Sequence, residues 1–392
     1  SSSLTGALGL PDYTNLAGLA SAKNLIGYDA MTEAEQEAAQ QSILRDIVNF
    51  DDTTLGYSTD FSNVDRSLYN PGSDLAANAA AQQVQSLQID YGTDLKPGVE
   101  YFVNLQVASN KTNGLIPKGH VIASSQLSIP MQKASESQPD RIRLSVSDKK
   151  GYYRFEGKNY DFKISKVSGL ISDMQYFDTN MLKASPRPDF WRAPTDNDLP
   201  VKGYGDKFGP WQKAGKDLKL VSIKMTKESK YSAKVEVEHR LNTFGSRYFT
   251  TYKIQGNGEV QADIYFYAAP HKKQAEIPRL GTLFELDKQF DQVSWYGRGP
   301  HENYSDRQDS AYVGLYQSTV AELFVPYVRA QENGNRSDVR NVAFYNKQGQ
   351  GIQFLGEPLI GFSAQFHSTD DYHANATEVQ TRNIHPHELP IK

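Results

Sequence analysis

The run Pro188-Asp189-Phe190-Trp191-Arg192-Ala193-Pro194-Thr195-Asp196-Asn197-Asp198 is the most distinctive stretch of the sequence for recognition chemistry. Trp191 offers a flat stacking face, Arg192 a planar fork of donors, and Asp196, Asn197 and Asp198 a row of acceptors for hydroxyl hydrogens. Together they suit a hydroxylated ligand. The same residue types also build turns in which Asx side chains bond their own backbone, so both readings stand for this run. Two further runs mix aromatic, acidic and basic residues. One extends from Trp295 to Arg307 (WYGRGPHENYSDR) and contains Glu302 and Asn303; the other extends from Val325 to Arg336 (VPYVRAQENGNR) and contains Glu332 and Arg336. For Glu302 and Arg307 the plain expectation is a salt bridge or turn that fixes the edge of a sheet. His367 and His373 are six residues apart, and His385 and His387 flank Pro386. Neither pair has the i, i+4 spacing of a helical zinc site, so these histidines are expected in turns or facing solvent, with no metal bound.

The composition narrows the class of partner. The chain has 23 Tyr and 18 Phe, which serve either as platforms for the apolar faces of sugars or simply as strand formers. A formal net charge of −4 leaves no electrostatic footprint for nucleic acid or an anionic membrane. The absence of cysteine excludes disulfides, thiolate chemistry and cysteine-ligated metals. No apolar run is long enough to span a bilayer, and Ser1-Ser2-Ser3-Leu4-Thr5 lacks the pattern of a signal peptide. The missing initial Met leads to the expectation of a processed or truncated chain. Cytoplasmic and periplasmic locations both stay open.

The elements that must position these residues are mostly strands. With 392 residues the chain has room for two or three domains. Residues 1–85 form a partly helical segment to which no chemistry is assigned. Thr32 and Glu35 form a capping-box pattern there, followed by Ala38, Ala39, Ile43, Leu44 and Ile47 at helical spacing, and a second short helix is expected over Ala76–Val84. Residues 86–131 read as the end of a small β-sandwich, and 132–140 as a polar linker. From 141 onward, runs such as YYRFEG, YDFKISK, KVEVEHRL, RYFTTYKI, VSWYG and VAFYN follow one another through short polar turns. This predicts a mainly β, antiparallel sandwich, with a last helix near Asp370–Val379. Glycoside hydrolysis needs two carboxylates on a rigid scaffold, and the barrel that usually carries them needs roughly 250 residues of alternating strands and helices. That alternation is absent, so catalysis by this chain alone is not expected.

The segment FWRAPTDND resembles a signature of the last large domain of the bacterial β-galactosidases of glycoside hydrolase family 2. Trp295–Arg307 is similar to the family's W-x-G-x-G-P-x-E-N-Y-x-D-R pattern, with Ser305 where Pro is frequent, and Val325–Arg336 is similar to its P-Y-x-x-x-Q-E-N-G block. The resemblance covers residues 86–392. It implies the end of an immunoglobulin-like sandwich over 86–131 and a galactose-mutarotase-like supersandwich over 141–392; residues 1–85 do not match.

The implied parent is a retaining hydrolase of lactose-type β-galactosides whose two catalytic Glu residues belong to a barrel placed before this chain. The chain itself would be non-catalytic and hold no cofactor, with any divalent cation in the catalytic domain. Its partners would be β-galactoside sugars, the catalytic domain or subunit, and further copies in a homo-oligomer. The resemblance places Trp191, Arg192, Asp196, Asn197, Asp198, Gly203, Gly205, Glu302, Asn303, Glu332 and Arg336 near carbohydrate. It also implies a movable loop over Leu199–Trp211, for which Gly203, Gly205 and Gly209 would supply hinge freedom. His385-Pro386-His387-Glu388-Leu389 resembles the family's H-x-H-E-L segment, after which a sugar-stacking Trp block is expected; its absence before Lys392 reads as truncation.

Two other classes compete. Aldose epimerases share the implied fold, but His301 and Glu302 are adjacent, so on a strand they would point to opposite faces and not converge on one substrate. A free-standing carbohydrate-binding module, or the small subunit of a split β-galactosidase, is the other alternative. Neighbouring coding sequence discriminates fragment from subunit.

Overall fold

The computed structural model describes residues 95–130, 141–198, 204–270, 276–327 and 331–373. The expected helices before residue 86, the 132–140 linker, Gly203 and the His385–Leu389 segment lie outside these residues. β1 (Tyr101–Ala108) and β2 (Val121–Ile129) form an antiparallel hairpin. β3 (Ser145–Asp148), β4 (Tyr152–Glu156), β5 (Tyr160–Ser165), β6 (Ile171–Tyr176) and β7 (Thr179–Asn180) form a five-stranded meander in chain order. β8 (Leu182–Asp189) and helix α1 (Tyr204–Ala214) follow. A second meander then joins β9 (Leu218–Lys227), β10 (Ser232–Leu241), β11 (Arg247–Gln255) and β12 (Val260–Tyr267). β13 (Gly281–Leu286) returns to pair with β8. Last come β14 (Gln292–Gly299), β15 (Tyr312–Thr319), helix α2 (Val320–Leu323), β16 (Arg336–Tyr345), β17 (Gly351–Phe362) and helix α3 (Thr369–His373), with sheet order β15-β14-β16-β17. The protein is thus mainly β with antiparallel pairing throughout, and no closed barrel occurs among the described residues.

Period-2 patterning explains why the sheets face one another. In β10, Ala233, Val235, Val237, His239 and Leu241 are buried while Glu236 and Arg240 face outward. β5 does the same with Tyr160, Phe162 and Ile164. These faces share one core with Phe155, Trp295, Val342 and Phe344, and each such burial stabilises by about 1.5–3 kcal/mol. A smaller cluster of Phe190, Trp191, Trp211, Leu241 and Tyr248 lies beside it. That second cluster anchors the first motif.

Several elements depart from expectation. Residues 204–214 form helix α1, not a hinged loop, so Gly205 and Gly209 lie within a helix. Burial of Trp211 and Ala214 offsets the helix cost of those glycines and of Pro210, roughly 1 and 3 kcal/mol per residue. β6, β8 and β15 carried no clear strand signal. β8 holds Pro186 and Pro188, which turn to its buried face, and its one observed partner is β13, an arrangement in which missing donors are tolerated. The expected last helix begins as α3, and the rest of that expectation lies outside the described residues.

The hairpin is fastened to the last sheet. Gln126 donates to the Val313 carbonyl at 2.9 Å and accepts its amide at 2.7 Å, imitating a backbone pair. The Glu100 carboxylate accepts from Arg340 at 2.6 and 2.8 Å and from the Tyr296 hydroxyl at 2.6 Å.

Candidate functional site

β8 leads directly into the first motif. Phe190 packs against Trp211, Tyr248 and Phe266 at ring separations of 5.7, 6.1 and 5.0 Å. Trp191 is 2% exposed, so its ring serves this cluster and is not the open stacking platform expected from its type. Arg192 forks Asp198 at 2.6 and 3.2 Å, and Asp198 also accepts the Thr195 amide at 2.8 Å and hydroxyl at 3.1 Å. The turn reading therefore describes Arg192–Asp198. Burial pushes the Asp198 carboxyl up, but the Arg192 fork and the Thr195 amide outweigh it and hold the group below the usual carboxylate range. Asp196 and Asn197 stand exposed at the tip.

The second and third motifs form facing loops. The Glu302 carboxylate accepts the Gly334 amide at 2.7 Å, Arg307 at 2.6 Å and the Tyr327 hydroxyl. Gly334 has φ +80, which favours a residue without Cβ and presents its amide to the carboxylate. Burial alone would raise the Glu302 carboxyl; these three donors bring it below its ordinary value. The expected Glu302–Arg307 salt bridge is present, and it is one part of a larger clasp. Asn303 is fully buried, donating to the His301 carbonyl at 3.0 Å and accepting the Ser337 amide at 2.9 Å. Its backbone amide reaches the Asn335 carbonyl at 2.8 Å, while the Asn335 side chain donates to the Asn303 carbonyl at 2.7 Å. Arg336 donates to the carbonyls of Leu323, Gly334 and Pro300 at 3.2, 2.9 and 3.0 Å and lies 5.5 Å from the centre of the Trp295 ring. Burial lowers the Arg336 guanidinium to about 10. His301 bonds Ser310 at 3.0 Å on the surface while Glu302 turns inward. They diverge as expected, but from a loop after β14 and not from a strand.

Two contacts join the first motif to the third. The Gln331 side chain donates to Asp196 at 2.9 Å and accepts the Asp196 amide at 3.3 Å. Arg279 pairs with Glu332 on one side and lies 3.6 Å from Asp189 on the other. Burial raises the Asp189 carboxyl, and Arg279 counters this only in part. The structure thus gathers Arg192, Asp196, Asp198, Glu302, Asn303, Glu332 and Arg336 into one interlocked rim.

Beside the rim lies a cavity of about 190 Å³ between β8, the end of α1, β13 and residues 363–372. Trp191 and Glu332 line it with Asp189, Arg279, Ser363, His367 and Tyr372. Sequence reasoning missed Arg279 and Ser363, which stand in no motif, and expected His367 in a turn or facing solvent, whereas its side chain is buried. Among the described residues no group of three or more His, Asp or Glu side chains is arranged to hold a metal.

Comparison with known proteins gives these motifs a family. The family described as "Beta galactosidase small chain" matches residues 156–392. The chain is similar to a β-galactosidase of Priestia megaterium, 31% identical over 266 residues, which covers 68% of this chain and 25% of that protein. It is also similar to a β-galactosidase of Lactobacillus delbrueckii subsp. bulgaricus, 34% identical over 224 residues covering 57% of this chain and 22% of that one. A third, from Streptococcus thermophilus, is 27% identical over 301 residues, covering 72% and 28%. The chain spans about a quarter of the length of these relatives. The family match runs from the end of β4 to the last residue and contains all three motifs that build the rim, so this chain belongs to the β-galactosidase small-chain family.

Proposed function

We propose that the chain is the non-catalytic C-terminal part of a retaining β-galactosidase and that its rim completes and covers the galactose site built by a catalytic barrel. The observation that carries this reading is the engagement of the buried motif carboxylates. Glu302 is held by the Gly334 amide and Arg307, and Glu332 by Arg279. A retaining pair needs one carboxyl free to cycle its proton and another free to attack. Here both groups brace loops. What the rim offers a sugar is the exposed Asp196 and Asn197, on a turn stiffened by Arg192 and Asp198. The substrate is taken to be a β-galactoside because the relatives carry that enzyme name.

A second reading, a small subunit completing a separately encoded catalytic chain, is favoured by the family's own description as a small chain. Both readings assign the rim the same task. Its test is the double substitution Asp196→Ala with Asn197→Ala in the enzyme reconstituted with a catalytic fragment. KM for a chromogenic galactoside should rise by roughly three- to tenfold, with kcat changed less, as expected for one or two lost hydrogen bonds. Unchanged KM and kcat would remove the rim from the sugar site.

A further inference from the structure

We propose that Asp338 is a positioning residue for the rim: its left-handed backbone turns Arg336 and Ser337 toward the two facing loops and so fixes the shape of the surface offered to the sugar. The proposal rests on the sugar-facing reading of the rim and adds the residue that sets its shape.

The register of β16 shifts beside the rim. Arg336 pairs with Phe362 and Val339 with Ile360, so β16 carries one residue more than β17 over this stretch, a β-bulge. In a regular strand, side chains three residues apart point to opposite faces. Arg336 and Val339 are instead both buried, Arg336 beside Trp295 and Val339 in the main core. The bulge lets one strand supply both.

Asp338 lies in this bulge with φ +50, the left-handed region that side chains other than those of Asn and Asp rarely adopt. Its neighbour Ser337 places its amide 2.9 Å and its hydroxyl 2.5 Å from Asn303 Oδ1, and the same hydroxyl lies 2.9 Å from Gln308 Oε1. One residue earlier, Arg336 donates to the carbonyls of Pro300 and Gly334, one in each facing loop. A slip of one residue would turn Arg336 and Ser337 to the wrong faces. The joining of the two loops thus depends on one left-handed residue.

That conformation is braced by its neighbours. Arg298 Nε donates to the Asp338 carboxylate at 2.5 Å, and its Nη1 reaches the Gln308 and Ala311 carbonyls at 3.3 and 3.0 Å. Arg340 donates to the Asp338 carbonyl at 2.6 Å while its other nitrogens hold Glu100, at the foot of the hairpin. Gly297 leaves the necessary space, since a Cβ there would stand 2.7 Å from Val339 Cα. An unfavourable backbone conformation held in place by its surroundings, next to a binding surface, matches the use of local strain for pre-organisation.

The test uses Asp338→Ala, which places a plain Cβ on the left-handed backbone, beside Asp338→Asn and Asp338→Gly, which keep that conformation accessible. Hydrogen exchange of the 392-residue chain alone, read by mass spectrometry, should rise about tenfold in Asp338→Ala over residues 300–308 and 331–337, with β10 unchanged, and by about threefold at most in the other two. In the enzyme reconstituted with a catalytic fragment, KM for a chromogenic galactoside should rise roughly three- to tenfold in Asp338→Ala with kcat changed less, and both other variants should restore it. Three exchange results would overturn the proposal: Asp338→Ala matching the wild type, all three variants equally loosened, or an equal rise in β10. If Asp338→Ala does not fold, the other two decide, because rim exchange raised about tenfold in both overturns it. Raised rim exchange with unchanged KM also overturns it where the Asp196–Asn197 substitution has moved KM. Where that substitution leaves KM unchanged, the sugar-site reading has failed instead, and exchange in the chain alone still decides what Asp338 positions.

Discussion

The Glu302 carboxylate reaches across 32 residues of chain to accept the Gly334 amide at 2.7 Å, and this bond clasps the loop after β14 to the loop before β16. Glu302 is 7% exposed, whereas the Arg307 side chain that also binds it is 49% exposed. The buried amide bond therefore outweighs the solvent-screened ion pair. Glu302→Ala should destabilise the fold by about 2–4 kcal/mol and Arg307→Ala by about 1 kcal/mol or less, measured by urea denaturation.

The same carboxylate gives a pH signature. Its pKa in the folded protein lies below the ordinary 4.5, so the stability it contributes is complete above the unfolded value and is lost as pH falls through the folded one. The stability gap between wild type and Glu302→Gln should shrink on acidification below about pH 4.5. Equal gaps at neutral and acid pH would contradict this assignment.

Asp189 should show the opposite slope. Burial raises its pKa above the ordinary 3.8, so its favourable contribution is complete below the unfolded value and is lost as pH rises through the folded one. Asp189→Asn should gain stability relative to wild type as pH rises from the acid range to neutrality, while Glu332→Gln, which removes the closer partner of Arg279, should lose about 1–3 kcal/mol at pH 7. A stability of Asp189→Asn relative to wild type that stays constant between acid and neutral pH would count against the burial of this carboxyl.

Arg336→Lys should not behave as a conservative change. The guanidinium fork serves three carbonyls from a buried position beside Trp295, and a single ammonium cannot reproduce that geometry. A loss of about 2–4 kcal/mol is expected, comparable to Arg336→Ala. A loss under about 0.5 kcal/mol would show that the fork is dispensable.

Glu100 tests the fastening of the hairpin. Glu100→Ala removes the Arg340 and Tyr296 contacts together and should raise amide hydrogen exchange across β1 and β2, with little change in β10 or β14. Uniformly raised exchange would mean that the hairpin and the main sheets open as one unit.

How much of this was legible in the sequence varies by element. β10 declared itself through strict alternation, and the three motifs stood out as runs of unusual side chains. α1 did not, because Gly205, Gly209 and Pro210 read as a loop while the burial of Trp211 that fixes the helix is a tertiary fact. β8 was hidden by Pro186 and Pro188, acceptable there because the strand has one observed partner. Within the site, residue type gave Trp191 as aromatic and Glu302 as acidic, but not that the first would be enclosed and the second clasped. Arg279 had no sequence signal at all, since its importance lies in standing between Asp189 and Glu332, residues distant from it in the chain.

The most direct measurement is hydrolysis of a chromogenic β-galactoside by this chain at high concentration, alone and mixed with a β-galactosidase catalytic fragment that lacks the corresponding region. The account predicts no hydrolysis by the chain alone and activity restored in the mixture. Hydrolysis by the chain alone, or a mixture no more active than the fragment by itself, would contradict it.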